Sequence, residues 1–398
     1  MDFTPSPRVE ALEKELLDFM ARFVYPNERT YYEQIEASGN RHHHPEILAE
    51  LKPRAKAAGL WNLFLPDSRH GPGLTNLEYA PLSAVMGRVL WGSEVFNCSA
   101  PDTGNMETLV RFATPAQQER WLTPLLEGRI RSGFSMTEPM TPGSDPTQLK
   151  TRAVRDGDHW VISGRKWFTT GAMHASVLLV VAVTSPEAPR HRRVSLFLVP
   201  IDAPGVTIVR SVPVLGYISS SGECEVDFKD VRVPARDMLG GEGEGFTVAQ
   251  ARLGPGRIHH CMRAVGMADR CVELMARRAA TRQVVGGLLA DKQMIQDFIA
   301  RSRIEVEAAR FVVLHAAWKM DTVGNKTAWP EIAMAKVLAA QTACRVTDRA
   351  IQVHGGLGLT DDVPLAAMYR YARILRLGDG ADEVHKAKLA EHEIRRLR

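Results

Sequence analysis

The period of the apolar residues changes twice along this chain, and that constrains the fold more than any single motif. Val9, Leu12, Leu16, Phe19 and Phe23 recur at three- and four-residue steps and form one stripe of an amphipathic helix. Ser6 stands where a helix N-cap belongs, with Pro7 in the first turn. Residues 45–58, 76–90 and 115–127 read the same way, separated by Gly and Pro clusters such as Gly71-Pro72-Gly73. Near Gly133 the period shortens. Residues 152–155 and 160–163 flank Asp156-Gly157, a hairpin signal. Residues 177–184 and 194–199 are short, β-branched and apolar, and 205–210 follow. Within 224–233, Val226 and Phe228 alternate with polar residues, as do Val231 and Val233. From Phe246 the helical period returns and persists, with long amphipathic stretches over 293–317 and 330–353.

The order is helices, then strands, then helices. At 398 residues the chain exceeds one simple core. The strands are too irregularly linked for βαβ units, which points to an α+β multidomain protein. A hydrophobic content of 45% and a charged content of 24% are ordinary for a globular chain. The net charge of +4 comes without any block of like charges. That speaks against a nucleic-acid footprint and leaves room for an anionic ligand. Cys98, Cys224, Cys261, Cys271 and Cys344 are scattered, odd in number and without CxxC spacing. Neither a disulfide framework nor a zinc site is expected, and a reducing compartment fits. No apolar run approaches the roughly 20 residues that span a bilayer. Residues 1–7 lack a signal-peptide pattern, so a cytoplasmic protein is expected.

Two local patterns invite readings that their surroundings do not support. Gly240-Gly241-Glu242-Gly243-Glu244-Gly245 is superficially a dinucleotide loop, but it lacks the parallel βαβ context. It reads as a linker between the strands and the last helices. His42-His43-His44 suggests a metal cluster, yet three adjacent side chains do not converge on one ion on a helix. A solvated loop or surface helix is expected there, and no metal. Adjacent His259 and His260 imply a helix with one buried face and one exposed face.

More specific patterns lie elsewhere. Phe134-Ser135-Met136-Thr137-Glu138-Pro139 precedes Gly143-Ser144-Asp145, and Ser163-Gly164-Arg165-Lys166-Trp167-Phe168-Thr169-Thr170 follows. Phe228-Lys229-Asp230-Val231-Arg232-Val233-Pro234 and Gln352-Val353-His354-Gly355-Gly356 come later. Together, in this order, they resemble the signatures of the acyl-CoA dehydrogenase family. Three further tracts resemble its subgroup of family members ten and eleven. These are residues 94–107 (with Ala100-Pro101-Asp102-Thr103-Gly104-Asn105-Met106-Glu107), 254–263 and Asp379-Gly380-Ala381-Asp382-Glu383-Val384-His385.

The resemblance implies an N-terminal helical domain (1–131), a middle antiparallel β domain (132–243) and a C-terminal four-helix bundle (244–398). In family members FAD lies between the β domain and the bundle, and a neighbouring subunit completes the site. A homodimer or homotetramer is therefore implied. Oxidation of the substrate removes a proton from Cα and a hydride from Cβ. No ordinary side chain accepts a hydride, and the proton needs a base. Asp379 corresponds to the family's catalytic glutamate; the alternative is a helix N-cap carboxylate. Some family members carry the base just before the arginine that matches Arg257, where this chain has Gly256. Gly380 would let a thioester approach closely.

By the same resemblance Phe134, Met136, Thr137, Gly143 and Ser144 lie along the flavin, with Ser144 near the diphosphate or the CoA. Trp167 and Phe168 would pack on the flavin and Thr169 donate to it; the alternative is plain β-domain core. Arg282 and Gln293 match residues that reach FAD from the neighbouring subunit, or else lie on a solvated helix face. Gln352 and Gly356 match an adenosine-side contact. Ala381, Asp382 and Glu383 match the final turn beside FAD, where the two carboxylates are unfavourable unless they point away from phosphate or reach ribose hydroxyls. Gly254, Pro255, Gly256 and Arg257 match the acyl-CoA channel, and Arg257 either contacts CoA or holds the pocket.

The implied activity is α,β-dehydrogenation of a fatty acyl-CoA in β-oxidation, with electrons passed to an electron-transfer flavoprotein. Aspartate in place of glutamate leaves a second reading, a flavin oxidase of small carbon acids similar to nitroalkane oxidase. A third is a non-catalytic flavin-bearing binding protein.

Overall fold

The computed structural model describes residues 3–397. Eight helices come first: α1 (Pro7–Phe19), α2 (Glu28–Ala37), α3 (Glu46–Ala57), α4 (Asn76–Met86), α5 (Gly92–Val95), α6 (Asp102–Phe112), α7 (Pro115–Gln117) and α8 (Thr123–Leu126). The strands are β1 (Arg131–Ser135), β2 (Arg152–Asp156), β3 (His159–Thr170), β4 (Ala175–Val183), β5 (Val194–Pro200), β6 (Val206–Ser211), β7 (Glu223–Pro234) and β8 (Met238–Leu239). Helix α9 (Gly245–Thr281) follows, then the small hairpin β9 (Gln283–Val284) and β10 (Gly287–Leu288). Helices α10 (Gln293–Val323), α11 (Trp329–His354), α12 (Leu365–Leu375) and α13 (Asp382–Arg396) complete the chain. No described helix is long and apolar enough to cross a membrane. By contacts the chain divides into a sheet unit, Asn27–Pro72 with Glu94–Leu253, and a helical unit made of the remaining described residues.

In the sheet unit the strand order is β6-β7-β3-β1-β4-β5-β8, with β2 beside β3 and β4. Pairing is antiparallel apart from β1 with β4 and a single β2–β4 pair. The Asp156-Gly157 turn closes the β2–β3 hairpin, with Asp156 opposite His159 and Gly157 at φ 61°. The core gathers Trp160, Ile162, Leu178, Val180, Phe197, Val199, Val226, Phe228, Val231 and Val233. Strict alternation does not bury both Phe228 and Val231. A bulge does: Phe228 faces Gly164 and Val231 faces Ile162, so Lys229 and Asp230 stand against Ser163 alone. Asp230 takes φ 50° there and accepts a 2.8 Å hydrogen bond from Ser163 Oγ. The Gly240–Gly245 tract joins β8 to α9, as a linker reading requires.

The same unit contains a buried polar chain. Asp102 pairs with Arg131 and accepts from Ser132 N at 2.7 Å and Ser132 Oγ at 2.6 Å. Asn105 Nδ2 donates to Ser132 Oγ at 2.9 Å, and Arg252 Nε donates to Asn105 Oδ1 at 2.8 Å. The Arg252 guanidinium then lies 3.9 Å over the Phe134 ring. Polar residues at 102 and 105 thus tie α6 and α9 to β1. Glu107 is also buried, and burial raises its pKa to about 7 against the offsetting charges of Arg111 and Arg252. A carboxyl whose pKa rises on folding stabilises the folded state fully below 4.5, and that contribution is lost as pH climbs to about 7. Glu107→Gln is expected to flatten the fall of the thermal midpoint over that range. A slope identical to wild type would contradict a folded state that holds the proton.

In the helical unit Ser6 caps α1, accepting from Val9 N at 3.4 Å with Pro7 at the helix start. Thr75 and Glu78 form a capping box on α4. The Asp321 carboxylate from α10 also accepts from Asn76 N at 3.0 Å and Leu77 N at 2.8 Å, placing negative charge at that N-terminus. Helix α11 presents Ala335, Ala339, Ala343, Val346 and Ala350 as a buried stripe of mostly small side chains. Helices α4 and α9 approach backbone to backbone. A Cβ on Gly266 would stand 1.7 Å from the Ala84 carbonyl oxygen, and one on Gly87 2.4 Å from that of Arg263.

Candidate active site

The turn between α12 and α13 carries Asp379 and Gly380. Asp379 adopts φ 53°, a left-handed conformation that aspartate tolerates better than most non-glycine residues. The turn around it is held by several contacts. Arg257 Nε donates to the Asp379 carbonyl at 2.8 Å, and Lys336 Nζ donates to the Gly380 carbonyl at 2.7 Å. Asp382, 1% exposed, accepts from Arg376 Nε at 2.9 Å and Gln341 Nε2 at 3.1 Å. Helix α13 takes Ala381 as its N-cap, with no side-chain cap, so Asp379 is not spent on capping.

The Asp379 carboxylate is only a quarter exposed, at 25%. A Cβ built on Gly256 would meet nothing within 4 Å except Asp379 Oδ2 at 3.9 Å. The carboxylate therefore faces the position where the alternative base would stand, and glycine leaves that space open. Gly380, at φ 103°, admits no side chain: a Cβ would lie 2.9 Å from His385 Nε2. Burial, then the charges of Arg257 and Lys336, push His385 down to about 4, while a hydrogen bond from its ring to the Asp379 backbone opposes them. The ring is neutral near pH 7, and its buried Nε2 has no hydrogen-bond partner among the described residues. Burial also lowers the Arg257 pKa, with the Asp379 charge as the leading offset.

Gly254 and Pro255 are buried in α9, and Gly256 and Arg257 are partly exposed. Of the two roles open for Arg257, the contact seen is the structural one, to the loop backbone. Ala381 is partly exposed and Glu383 exposed. The Asp382 carboxylate points to Arg376 and Gln341, which removes it from the unfavourable encounter with phosphate. Arg282, Gln293, Gln352 and Gly356 are exposed on this chain and are not drawn to the Asp379 turn by any contact within it.

The segment that the resemblance would lay along a flavin belongs to the sheet unit. Trp167 N donates to the Thr137 carbonyl at 3.1 Å, and Thr137 Oγ1 donates to the Trp167 carbonyl at 2.7 Å. This reciprocal pair locks residues 136–137 to β3. Beneath it the buried Lys166 ammonium donates to Met136 O at 2.8 Å and Glu138 Oε1 at 2.9 Å. Glu138 also accepts from Lys150 N and Thr151 N, both at 2.8 Å. Burial pushes the Glu138 carboxyl up, but Lys166 and these backbone donors outweigh it and hold its pKa below the usual value. Phe168 adopts φ 51° and is 43% exposed, with its ring 4.6 Å from that of Trp167. The core of this unit includes Trp160 and leaves Trp167 and Phe168 outside it. Flat aromatic surface left open beside ordered backbone fits a planar ligand such as a flavin ring. Thr169 is fully buried, its hydroxyl 3.0 Å from Ser135 Oγ. Gly143 and Ser144 lie exposed in the following loop.

Three residues of this arrangement had no sequence motif of their own: Lys336, Gln341 and Arg376. Lys336 had a signal, a lone lysine inside Ala-Met-Ala-Lys-Val-Leu-Ala-Ala on an apolar helix. The triple histidine resolves into separate contacts. His42 Nδ1 meets Ser220 O, His43 Nε2 meets Glu46, and His44 Nε2 meets Glu94.

The model of the acyl-CoA dehydrogenase N-terminal domain matches residues 6–129, that of the middle domain 133–231 and that of the C-terminal domain 243–394. The chain is 49% identical to the "Probable acyl-CoA dehydrogenase FadE2" of Mycobacterium tuberculosis over 403 residues, covering 100% of this chain and 98% of that protein. It is 48% identical to acyl-CoA dehydrogenase family member 10 of Mus musculus, covering 98% of this chain but only 37% of that longer protein. A solved structure from Mycobacterium abscessus, assigned to the acyl-CoA dehydrogenases, superposes with TM-score 0.96 at 45% identity, over 99% of this chain and 100% of that one. With three domains matched in order and relatives near half identity over its whole length, the chain belongs to the acyl-CoA dehydrogenase family of FAD-dependent oxidoreductases.

Proposed function

We propose that the chain dehydrogenates a fatty acyl-CoA across Cα–Cβ, giving the trans-2-enoyl-CoA, with Asp379 as the base that takes the Cα proton. The observation that carries this reading is the Asp379 turn. A carboxylate sits on a left-handed turn tied down by Arg257 and Lys336, and it faces an open space at Gly256. Preorganisation of this kind suits proton abstraction, because the base need not be gathered at the moment of reaction. Bound FAD supplies what no side chain can, an acceptor for the hydride that leaves Cβ.

The chain's own residues do the rest. Trp167, Phe168 and the backbone of Phe134, Met136 and Thr137 line the flavin. Gly143 and Ser144 serve its diphosphate or the CoA. Ala381 and Glu383 lie beside FAD, with Asp382 as the anchor of that turn. Arg282, Gln293, Gln352 and Gly356, exposed on one chain, serve FAD phosphate and adenosine in a homodimer or homotetramer. Gly254, Pro255, Gly256 and Gly380 give the thioester a close approach. An electron-transfer flavoprotein takes the electrons, and the protein works in the cytoplasm in fatty-acid β-oxidation.

One feature favours a second reading: the base is an aspartate, one methylene shorter than glutamate, as in oxidation of small carbon acids. Anaerobic addition of saturated acyl-CoAs of graded length, beside a nitroalkane series, separates the two. Flavin bleaching by an acyl-CoA and not by nitroalkanes is expected. Bleaching by nitroalkanes alone transfers the assignment to the oxidase.

A further inference from the structure

The two adjacent histidines of α9 differ in what they face. His259 is 1% exposed, and its ring meets Tyr79 edge-on at 5.0 Å. His260 turns to the candidate base: its Nε2 lies 3.5 Å from Asp379 Oδ2, with the two side chains 24% and 25% exposed. At the other ring nitrogen, Arg263 Nη2 approaches Nδ1 to 3.2 Å and Tyr371 Oη approaches it to 3.4 Å. A guanidinium only donates, so Nδ1 must present its lone pair. The proton of the neutral ring then sits on Nε2, on the side of the carboxylate.

We infer that His260 is a positioning residue for the base: a neutral imidazole, its tautomer set by Arg263, whose Nε2–H orients the Asp379 carboxylate and favours its ionised form. This rests on the reading of Asp379 as the base. A short aspartate has less reach than a glutamate, so its direction matters more. At 3.5 Å the contact lies at the long end for a hydrogen bond. Other groups act on the pair as well. Arg257 and Cys261 from α9, and Lys336 from α11, are electrostatic neighbours of Asp379. His385 from α13 bonds to its backbone. None of these puts an imidazole N–H on the carboxylate, and that contribution is what the test isolates.

A hydrogen bond to the ionised form lowers a carboxyl pKa. Without it, the acid limb of the flavin-reduction rate moves to higher pH by about one unit. The test mixes FAD-loaded protein anaerobically with a saturated acyl-CoA across roughly pH 5 to 9 and follows flavin absorbance. The variants are His260→Gln, His260→Asn and His260→Leu, with Asp379→Asn as control. The glutamine amide nitrogen reaches about as far as Nε2, whereas the asparagine amide stops near Nδ1. His260→Gln is expected to keep the wild-type limb. His260→Asn and His260→Leu are expected to shift it upwards and to lower the plateau rate by about ten- to a hundredfold. If the asparagine variant keeps both the wild-type limb and the plateau, His260 does not position the base. Should the leucine variant fail to retain flavin, the glutamine–asparagine pair still decides. If Asp379→Asn is reduced normally, the base assignment itself is wrong. If Asp379→Asn is inert while every His260 variant matches wild type, only the His260 inference fails.

Discussion

Asp379→Asn is expected to leave a folded, yellow protein whose flavin is reduced by acyl-CoA about 10³- to 10⁴-fold more slowly than wild type. The substitution removes basicity and little else. Asparagine is among the residues that tolerate a left-handed backbone, so the φ of 53° at this position survives. Arg257 holds the turn through the carbonyl of residue 379, which the substitution keeps. Rescue by a neighbouring carboxylate is blocked. Gly256 has no side chain, and Asp382 is already bonded to Arg376 and Gln341. Rapid mixing under anaerobic conditions measures the loss. A fall of less than about tenfold would show that another group takes the proton.

The second large effect concerns stability. Glu138→Ala is expected to cost about 3–5 kcal/mol in the sheet unit, because it strands a buried ammonium. The Lys166 side chain is 0% exposed and that of Glu138 5% exposed. After the substitution Lys166 keeps only the Met136 carbonyl, and Lys150 N and Thr151 N lose their acceptor. Lys166→Met leaves the converse problem, a buried carboxylate held by two backbone donors. The double variant Glu138→Leu with Lys166→Met removes both charges and is expected to recover most of the loss, since replacing a buried pair by apolar side chains is often near neutral. Denaturant midpoints of the three variants, read with FAD retention, check this. The pair pins residues 136–138 beside Trp167, so FAD should leave the single variants more readily than the double one. Single variants within about 1 kcal/mol of wild type would contradict the account.

These two sites differ in how far the sequence disclosed them. Asp379 stood out as a candidate because Asp-Gly-Ala-Asp-Glu resembles a family tract and Gly256 vacates the alternative position. The ends of α1 and the β2–β3 hairpin were legible because Ser6-Pro7 and Asp156-Gly157 act within a few residues of themselves. The bulge at Asp230 was half visible. Two alternations out of phase, Val226/Phe228 and Val231/Val233, require an irregularity between them, although its partner Ser163 lies far off in sequence. The parallel pairing of β1 with β4 left no local trace, since register between distant strands depends on tertiary packing. Two partners of the Asp379 turn were hidden for the same reason. Lys336 comes from α11 and Arg376 from the residue that ends α12, and only their meeting gives them a role, whereas Arg257 on α9 was already a candidate to hold the pocket. Asp102 and Asn105 stood inside a recognised tract, but their work, a buried chain from Arg131 to Phe134, appears only in the fold.

Formation of a double bond in an acyl-CoA by proton loss to Asp379 is tested by anaerobic single-turnover reaction with a saturated acyl-CoA, followed by product analysis. One trans-2-enoyl-CoA is expected for each flavin bleached in the wild type, and neither product nor bleaching on that timescale in Asp379→Asn. Bleaching without enoyl-CoA, or enoyl-CoA formed at the wild-type rate by Asp379→Asn, would contradict it.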